Sequence, residues 1–251
     1  MDRCIAVVIL AAGLGKRMKS PKAKVLHEVL GRPMVEYVVE TARKIAGNAV
    51  VVVVGHQADE VRRAISRAVE AIFVHQHQQL GTGHAVMCAL PQMPAECGQV
   101  LVLCGDVPLV SEATLNDLIA DHKGAQRDAT LLAVDVDNPF GYGRVLLDHH
   151  QQICGIVEEG DATDAQRAIK TINSGIYCLK RSFLAEALPQ LNRRNVQGEY
   201  YLTDIIGIGY DMGRNIGVCH GHDPREILGI NTPDDLARVE AILKERQISN
   251  E

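Results

Sequence analysis

The chain has 251 residues, 47% of them hydrophobic, which is enough apolar material for one large α/β domain or two small ones and too much for a disordered chain. A net charge of -5 argues against a general nucleic-acid or acidic-membrane binder, because either partner needs a surplus of surface Lys and Arg. No apolar run reaches the ~18 residues of a spanning helix, and Asp2 and Arg3 are too short a lead before the first apolar run to make a signal peptide.

The first predicted element is a strand over Ile5 to Leu10, followed by the loop LAAGLGKRM that ends at Met18. Pro33 sits where a helix can begin without its N–H, and Met34, Tyr37, Val38, Thr41 and Ile45 recur at helical spacing until Gly47. Residues 49 to 55, AVVVVVG, form an unbroken β-branched run of the kind buried on both faces of a parallel sheet. A second helix carries Val61, Ile65 and Val69, and a short strand covers Ala71 to His75. GTGHAVMCAL then opens a helix from Gly81, and VLVLCGD is a strand over 100 to 106. Ser111 starts the next helix, with Leu115, Leu118 and Ile119 facing inward, and a strand follows over 129 to 136.

From about Asn138 the texture turns Gly-rich and charged before a strand-like NSGIYCLK at 173 to 180. Thr232, Pro233 and Asp235 supply a cap, a first-turn proline and a capping-box acid for a closing helix. Alternating strands and helices predict an α/β fold: a Rossmann-like, doubly wound, mostly parallel sheet. The second half reads as an elaboration of one domain over 1–251, whose first part is about 1–110 and whose second part is about 111–251.

Seven cysteines, at positions 4, 88, 97, 104, 154, 178 and 219, contain no Cys-x-x-Cys pair, so neither a zinc knuckle nor a disulfide framework is signalled. They suit a reducing cytosol, and a cytoplasmic location is expected. His75-x-His77 and His220-x-His222 lack the further ligands of a zinc site nearby. Cys104 reads as inert packing, and Tyr200-Tyr201 as core and pocket wall.

Three kinds of phosphate loop compete for LAAGLGKRM. A dinucleotide loop needs a third glycine where Met18 stands, and an acid after the second strand where Gly55-His56 stands. A Walker loop fails at Leu10 and again at Arg17. The third kind uses the small residues Ala11, Ala12, Gly13 and Gly15 to bring backbone N–H groups onto an anion, with Arg17 and Lys24 as mobile cations, which suits a triphosphate. A simple tight turn with solvated basic residues is the alternative on the loop alone. Asp106, at the tip of its strand, lies where open α/β sheets bind ligands and is a candidate magnesium ligand. Gln76 and Gln79 flank the entry to Leu80-Gly81-Thr82-Gly83, and an amide offers both the donor and the acceptor that match the edge of uracil.

Leu-Ala-Ala-Gly-x-Gly-x-Arg-Met with Pro21-Lys22 and Lys24-Val25-Leu26-His27 resembles the sugar-phosphate nucleotidylyltransferases. QQLGTGHA at 78 to 85, GDVPL at 105 to 109, GYGR at 141 to 144, GIVEE at 155 to 159, INSG at 172 to 175 and GEYYLTD at 198 to 204 continue the resemblance nearly end to end. As a set they look like the uridylyltransferase domain of the bifunctional N-acetylglucosamine-1-phosphate uridylyltransferases. The resemblance implies Mg²⁺-dependent attack by a sugar 1-phosphate on UTP, releasing pyrophosphate. Arg17, Lys24 and Asp106 would be catalytic, with Lys24 near the α-phosphate and Arg17 near the leaving pyrophosphate. The nucleotide would meet Leu10, Ala11, Ala12, Gly13, Gly15, Gln76, Gln79, Gly81 and Thr82. Gly143, Glu158, Asn173 and Asn231 would face the sugar, and Asn231 would join Asp106 on the metal. The partners implied are UTP and a sugar 1-phosphate, with no nucleic acid and no membrane.

Three positions depart from the pattern. Lys16 stands where Thr is usual and adds a third cation, Cys104 stands where a tyrosine close to the sugar is typical, and Ser174 replaces Thr. The chain also reaches Glu251 without the left-handed β-helix of hexapeptide repeats, so no acetyl transfer is expected and the oligomeric state is open. Two alternatives stay in view: transfer to another hexose 1-phosphate or from another nucleotide, and a sensor that binds a nucleotide sugar without turnover.

Overall fold

The computed structural model describes residues 4–248; Asp2, Arg3, Glu251 and the side chain of Lys16 lie outside the described residues. Chain order gives β1 (Ile5–Ala11), a short hairpin of β2 (Glu28–Val29) and β3 (Arg32–Pro33), α1 (Met34–Ala46), β4 (Val50–Val54), α2 (Ala58–Ser66), β5 (Ile72–His75), α3 (Thr82–Ala89) and β6 (Gln99–Cys104). It continues with α4 (Glu112–Gly124), β7 (Ala129–Asp135), β8 (Arg144–Leu147), β9 (Ile153–Val157), α5 (Asp164–Arg167), β10 (Thr171–Lys180), α6 (Arg181–Ala187), α7 (Asp204–Asp211), β11 (Ile216–His220) and α8 (Pro233–Ile248).

The main sheet runs β11-β7-β10-β6-β1-β4-β5, with β8 and β9 joined at its side. β1 lies parallel between β4 and β6, so that Ile9 stands opposite both Val52 and Leu103. All five β4 valines are fully buried because helices cover both faces there, as the unbroken apolar run predicted. One face packs Val8, Val53 and Val102 with residues of α3, α6 and α7, and the other packs Val7, Val52 and Leu101 with α1, α2 and α4.

β10 is the exception to parallel order, running antiparallel to both β6 and β7. Its reversal carries Asn173, near its start, to the same end of the sheet at which β1 and β6 finish. The β8–β9 hairpin attaches there through Ile172 and Arg144.

A third, smaller core of Met18, Val29, Met34, Leu109, Ile230, Val239 and Ile242 fastens α8 against the loop after β1. Thr232 and Asp235 cap this helix reciprocally, with backbone N–H donors 3.2 and 2.8 Å from the opposite side-chain oxygens. Ser111 likewise caps α4 by accepting from the Thr114 N–H.

Two expectations need correction. β6 ends at Cys104 rather than 106, so Asp106 sits in the turn beyond the strand, where its side chain is free of the sheet's alternation. Cys4 and Cys97 are disulfide-bonded, with Cα atoms 4.2 Å apart. They precede β1 and β6, neighbouring parallel strands whose starts are brought together by the fold, and a sequence separation of 93 hides that proximity from any spacing rule. The His75 and His77 rings lie with centroids 4.2 Å apart and tilted by 42°, and among the described residues no group of three or more His, Cys, Asp or Glu could hold a metal ion. No helix among them is long and apolar enough to cross a membrane.

Candidate active site

A cavity of about 500 Å³ opens at the carboxyl ends of β1, β5 and β6. Leu10, Ala12, Gly13, Gly15, Arg17, Lys24, Gln76, Gln79, Gly81, Thr82, Cys104, Asp106 and Asn231 line it, which brings together most of the residues picked out from the sequence. Ala11 is different. Strand alternation turns its side chain the other way, into the core beside Val25, so only its backbone is left to meet a ligand.

The loop after β1 tightens into a single 3-10 turn, with the Met18 N–H donating to the Gly15 carbonyl at 2.9 Å. Gly15 has φ +64°, and a side chain there would come within 2.6 Å of Lys24 Cβ. Only glycine lets the loop close over Lys24 in this way.

Lys24 is the centre of the charged group. Its Nζ donates to Asp106 Oδ2 and, at 2.6 Å, to Asn231 Oδ1. Asn231 Oδ1 also accepts from Arg17 Nη2 at 2.7 Å. The Ile230 N–H bonds to the Asp106 carbonyl at 2.9 Å, and this link together with the α8 core sets Asn231 beside Asp106. One cation already shares the Asp106 carboxylate and the Asn231 amide oxygen, so these two hard oxygen donors are placed to share another. Two protein oxygens suit a small divalent ion that takes its remaining ligands from phosphates and water.

The opposite wall carries the amides. Gln76 is buried, not solvent-facing as a strand residue between two histidines would suggest, and its backbone N–H bonds to Val54 of β4 at 2.8 Å. Gln79 Nε2 donates to the Gln76 carbonyl at 3.0 Å. The 81–83 segment is clasped from outside: the Gly83 N–H donates to the Tyr200 carbonyl at 2.8 Å and the Leu202 N–H to Thr82 Oγ1 at 3.0 Å.

Of the predicted sugar residues Asn231 lines this cavity, whereas Gly143, Glu158 and Asn173 gather next to it without lining it. The Asn173 N–H donates to the Gly143 carbonyl at 2.9 Å, and the space above Gly143 faces Glu158 Oε2. Asn173 Oδ1 accepts from the Gly175 N–H at 2.9 Å, and Cys104 Sγ lies 3.5 Å from the Gly175 carbonyl, which links this group to the cavity. Burial holds the Glu158 carboxyl above its usual range; the Thr203 hydroxyl, donating at 3.2 Å, opposes this, while Asp204 and Asp161 add to it. Burial also pushes the Cys104 thiol up to about 12, with Asp106 adding, so it stays protonated and inert.

Several contributors have contacts that no sequence pattern assigned to them. Thr203 orients Glu158, Tyr200 clasps Gly83, and His84 bonds to Gln76. Glu159 pairs with the buried Arg144 at 2.7 Å and accepts from the Gly141 N–H at 3.1 Å, bracing the turn that holds Gly143. GEYYLTD and GTGHA did mark Tyr200, Thr203 and His84 as members of distinctive stretches, but only three-dimensional contact gives them roles.

Residues 7–173 match the family described as the MobA-like NTP transferase domain. The chain is 46% identical over 242 residues to the bifunctional protein GlmU of Geotalea uraniireducens, covering 96% of this chain and 53% of that protein. Similar matches are the GlmU proteins of Trichlorobacter lovleyi, at 43% over 241 residues, and Alkaliphilus oremlandii, at 45% over 242, each with 96% of this chain and 52% of the relative covered. The chain thus spans about half the length of the curated relatives it matches. Two solved structures share the fold at 17% identity. A 4-diphosphocytidyl-2C-methyl-D-erythritol synthase from Anaerococcus prevotii has a TM-score of 0.68 over 96% of this chain and 99% of that one. A Bacillus anthracis protein described as a glucose-1-phosphate thymidylyltransferase has 0.73 over 95% of each.

Proposed function

The chain belongs to the MobA-like NTP transferase family, and on that premise we propose that it transfers a uridylyl group from UTP to N-acetylglucosamine 1-phosphate, giving UDP-N-acetylglucosamine and pyrophosphate. The observation that carries this reading is the convergence of Arg17, Lys24, Asp106 and Asn231, from three separate chain segments, on one charged centre beside a buried amide wall. The similarity to GlmU proteins over 96% of the chain supports the choice of nucleotide and sugar.

In the reaction an oxygen of the sugar 1-phosphate attacks the α-phosphorus of UTP. The new P–O bond forms as the bond to the β-phosphate breaks, and pyrophosphate leaves with that electron pair. The attacking oxygen is already anionic near neutral pH, so no general base is needed. The work falls to positioning and charge neutralisation. Lys24, held beneath the loop by Gly15, meets the α-phosphate, and Arg17, at the loop's outer side, meets the departing pyrophosphate. Asp106 and Asn231 would hold Mg²⁺, which when bound supplies charge neutralisation on the phosphates. Gly143, Glu158 and Asn173 would bind the sugar through a carboxylate and amide suited to hydroxyl and acetamido groups.

Pyrophosphate release from UTP and N-acetylglucosamine 1-phosphate, compared with glucose 1-phosphate and with CTP and GTP, tests the reading. Equal or better turnover with glucose 1-phosphate, or with CTP or GTP, would overturn the sugar or base assignment. Asp106→Ala should abolish most turnover; a protein that binds UDP-N-acetylglucosamine yet never releases pyrophosphate from UTP is a sensor.

A further inference from the structure

Gln76 is 3% exposed, and its side-chain amide sits on the cavity wall with its donors already engaged. Nε2 donates to the Gly81 carbonyl at 3.0 Å and to His84 Nδ1 at 3.0 Å. A carbonyl oxygen can only accept, so the Gly81 contact by itself decides which end of the amide carries the hydrogens. An NH₂ group has two hydrogens, and these two contacts use both. Oε1 is left as the only end of the amide able to meet a ligand.

His84 lies on the first turn of α3, and its Nε2 is 3.8 Å from Cys88 Sγ one turn further on. With Nδ1 accepting from Gln76, the ring is the neutral tautomer with its hydrogen on Nε2, facing that sulfur. Leucine at this position would leave one Gln76 N–H without a partner in a buried place, and the amide, still held at the Gly81 carbonyl, would be free to swing that N–H toward an acceptor on the base.

We propose that His84 is a positioning residue that locks the Gln76 amide with Oε1 toward the nucleobase, so that the site selects a base presenting a ring N–H donor. The inference rests on the uridine reading. Uracil offers O2 and O4 as acceptors and N3–H as its single edge donor, so an acceptor-only Gln76 can pair with uracil only at N3. Cytosine carries a bare lone pair at that ring position and would face Oε1 acceptor to acceptor. The discrimination comes from an unpaired buried polar group, the situation in which a binding site rejects a near-isostere most strongly.

The test is calorimetric binding of UTP and CTP, with Mg²⁺, to the parent, His84→Leu and His84→Asn. Asn can place its Oδ1 near the site of Nδ1 and keep the acceptor. The parent should prefer UTP, His84→Leu should lose about tenfold of the UTP-over-CTP ratio, and His84→Asn should restore it to within about threefold of the parent, the scale of one buried hydrogen bond. UTP methylated at N3 should bind the parent no better than CTP does. An unchanged ratio in His84→Leu overturns the lock, and so does an equal loss of both nucleotides in the Leu and Asn variants, which is the mark of a merely structural histidine. Because selectivity is read from binding, a parent that prefers UTP but releases no pyrophosphate refutes the transfer reaction and leaves the lock standing.

Discussion

Lys24 Nζ lies 2.6 Å from Asn231 Oδ1, although 207 residues separate them, and the same ammonium bonds to Asp106. The two oxygens proposed as metal ligands are thus drawn together by a cation built into the chain. An ammonium and a divalent ion repel each other at such range, so Lys24 must move toward the phosphates when the ion is seated. Lys24→Met should therefore bind Mn²⁺ more tightly in the absence of nucleotide, by spin-resonance titration, while its turnover falls about a hundredfold, near 3 kcal/mol of lost transition-state stabilisation. Unchanged or weaker Mn²⁺ binding would show that the ammonium does not compete with the metal.

Gly81 precedes α3 with φ +108°, and a side chain there would come within 2.6 Å of the Tyr200 carbonyl. Its own carbonyl is the acceptor that fixes Gln76. Gly81→Ala should thus cost about 1–3 kcal/mol in backbone strain and loosen the clasp between the 81–83 and 200–202 segments. Urea denaturation and UTP titration should both register the change. A variant of parent-like stability and UTP affinity would mean that this turn can relax freely.

The elements that sequence made legible are those whose burial is two-sided or one-striped. β1 and β4 are apolar throughout and β6 is so after Gln99, and α1 and α4 show their inward residues at helical spacing, so local pattern and packing agree. Strand direction is not written in such a pattern, and β10 reads the same in either sense; its antiparallel course follows from where its neighbours in the chain must go. β8, β9 and β11 are only four or five residues long, and Arg144, Gly155, Gly217 and His220 interrupt their apolar pattern. In the site, the positions of Arg17, Lys24, Asp106 and Gln76 were readable because loops at strand ends carry them. The Lys24–Asn231 contact and the Thr203–Glu158 pair join segments remote in sequence, and no spacing encodes them.

The Cys4–Cys97 bond closes a loop of 93 residues through β1 and β6. Cross-linking a loop of that size restricts the unfolded chain, and the entropy argument gives about 4.6 kcal/mol. Protein purified without reductant and denatured should show five reactive thiols, those of Cys88, Cys104, Cys154, Cys178 and Cys219. Reduction should raise the count to seven and lower the urea midpoint. Seven thiols before reduction would exclude the bond.

His122 faces inward from α4 with 1% of its surface exposed, Nδ1 2.8 Å from Thr130 Oγ1 and Nε2 3.0 Å from Gln99 Oε1. Gln99 Oε1 can only accept, so Nε2 carries the hydrogen and the Thr130 hydroxyl donates to Nδ1, which satisfies the neutral ring completely. Burial, reinforced by the positive charges of Lys180 and Arg127 and partly opposed by Asp128 and Asp121, lowers its pKa from 6.5 to about 4. Between those two values the unfolded chain binds a proton that the folded chain refuses, so stability must fall as the pH is lowered through that window. The loss attributable to this one group approaches about 3 kcal/mol at its lower end. His122→Asn removes the titration while leaving every carboxylate in place. Its deficit relative to the parent, measured by urea denaturation, should therefore be larger at pH 7 than at pH 4.5 by about 2 kcal/mol. An equal deficit at both pH values would mean that the histidine takes up its proton without leaving the folded state, against the burial and the two neighbouring cations that surround it.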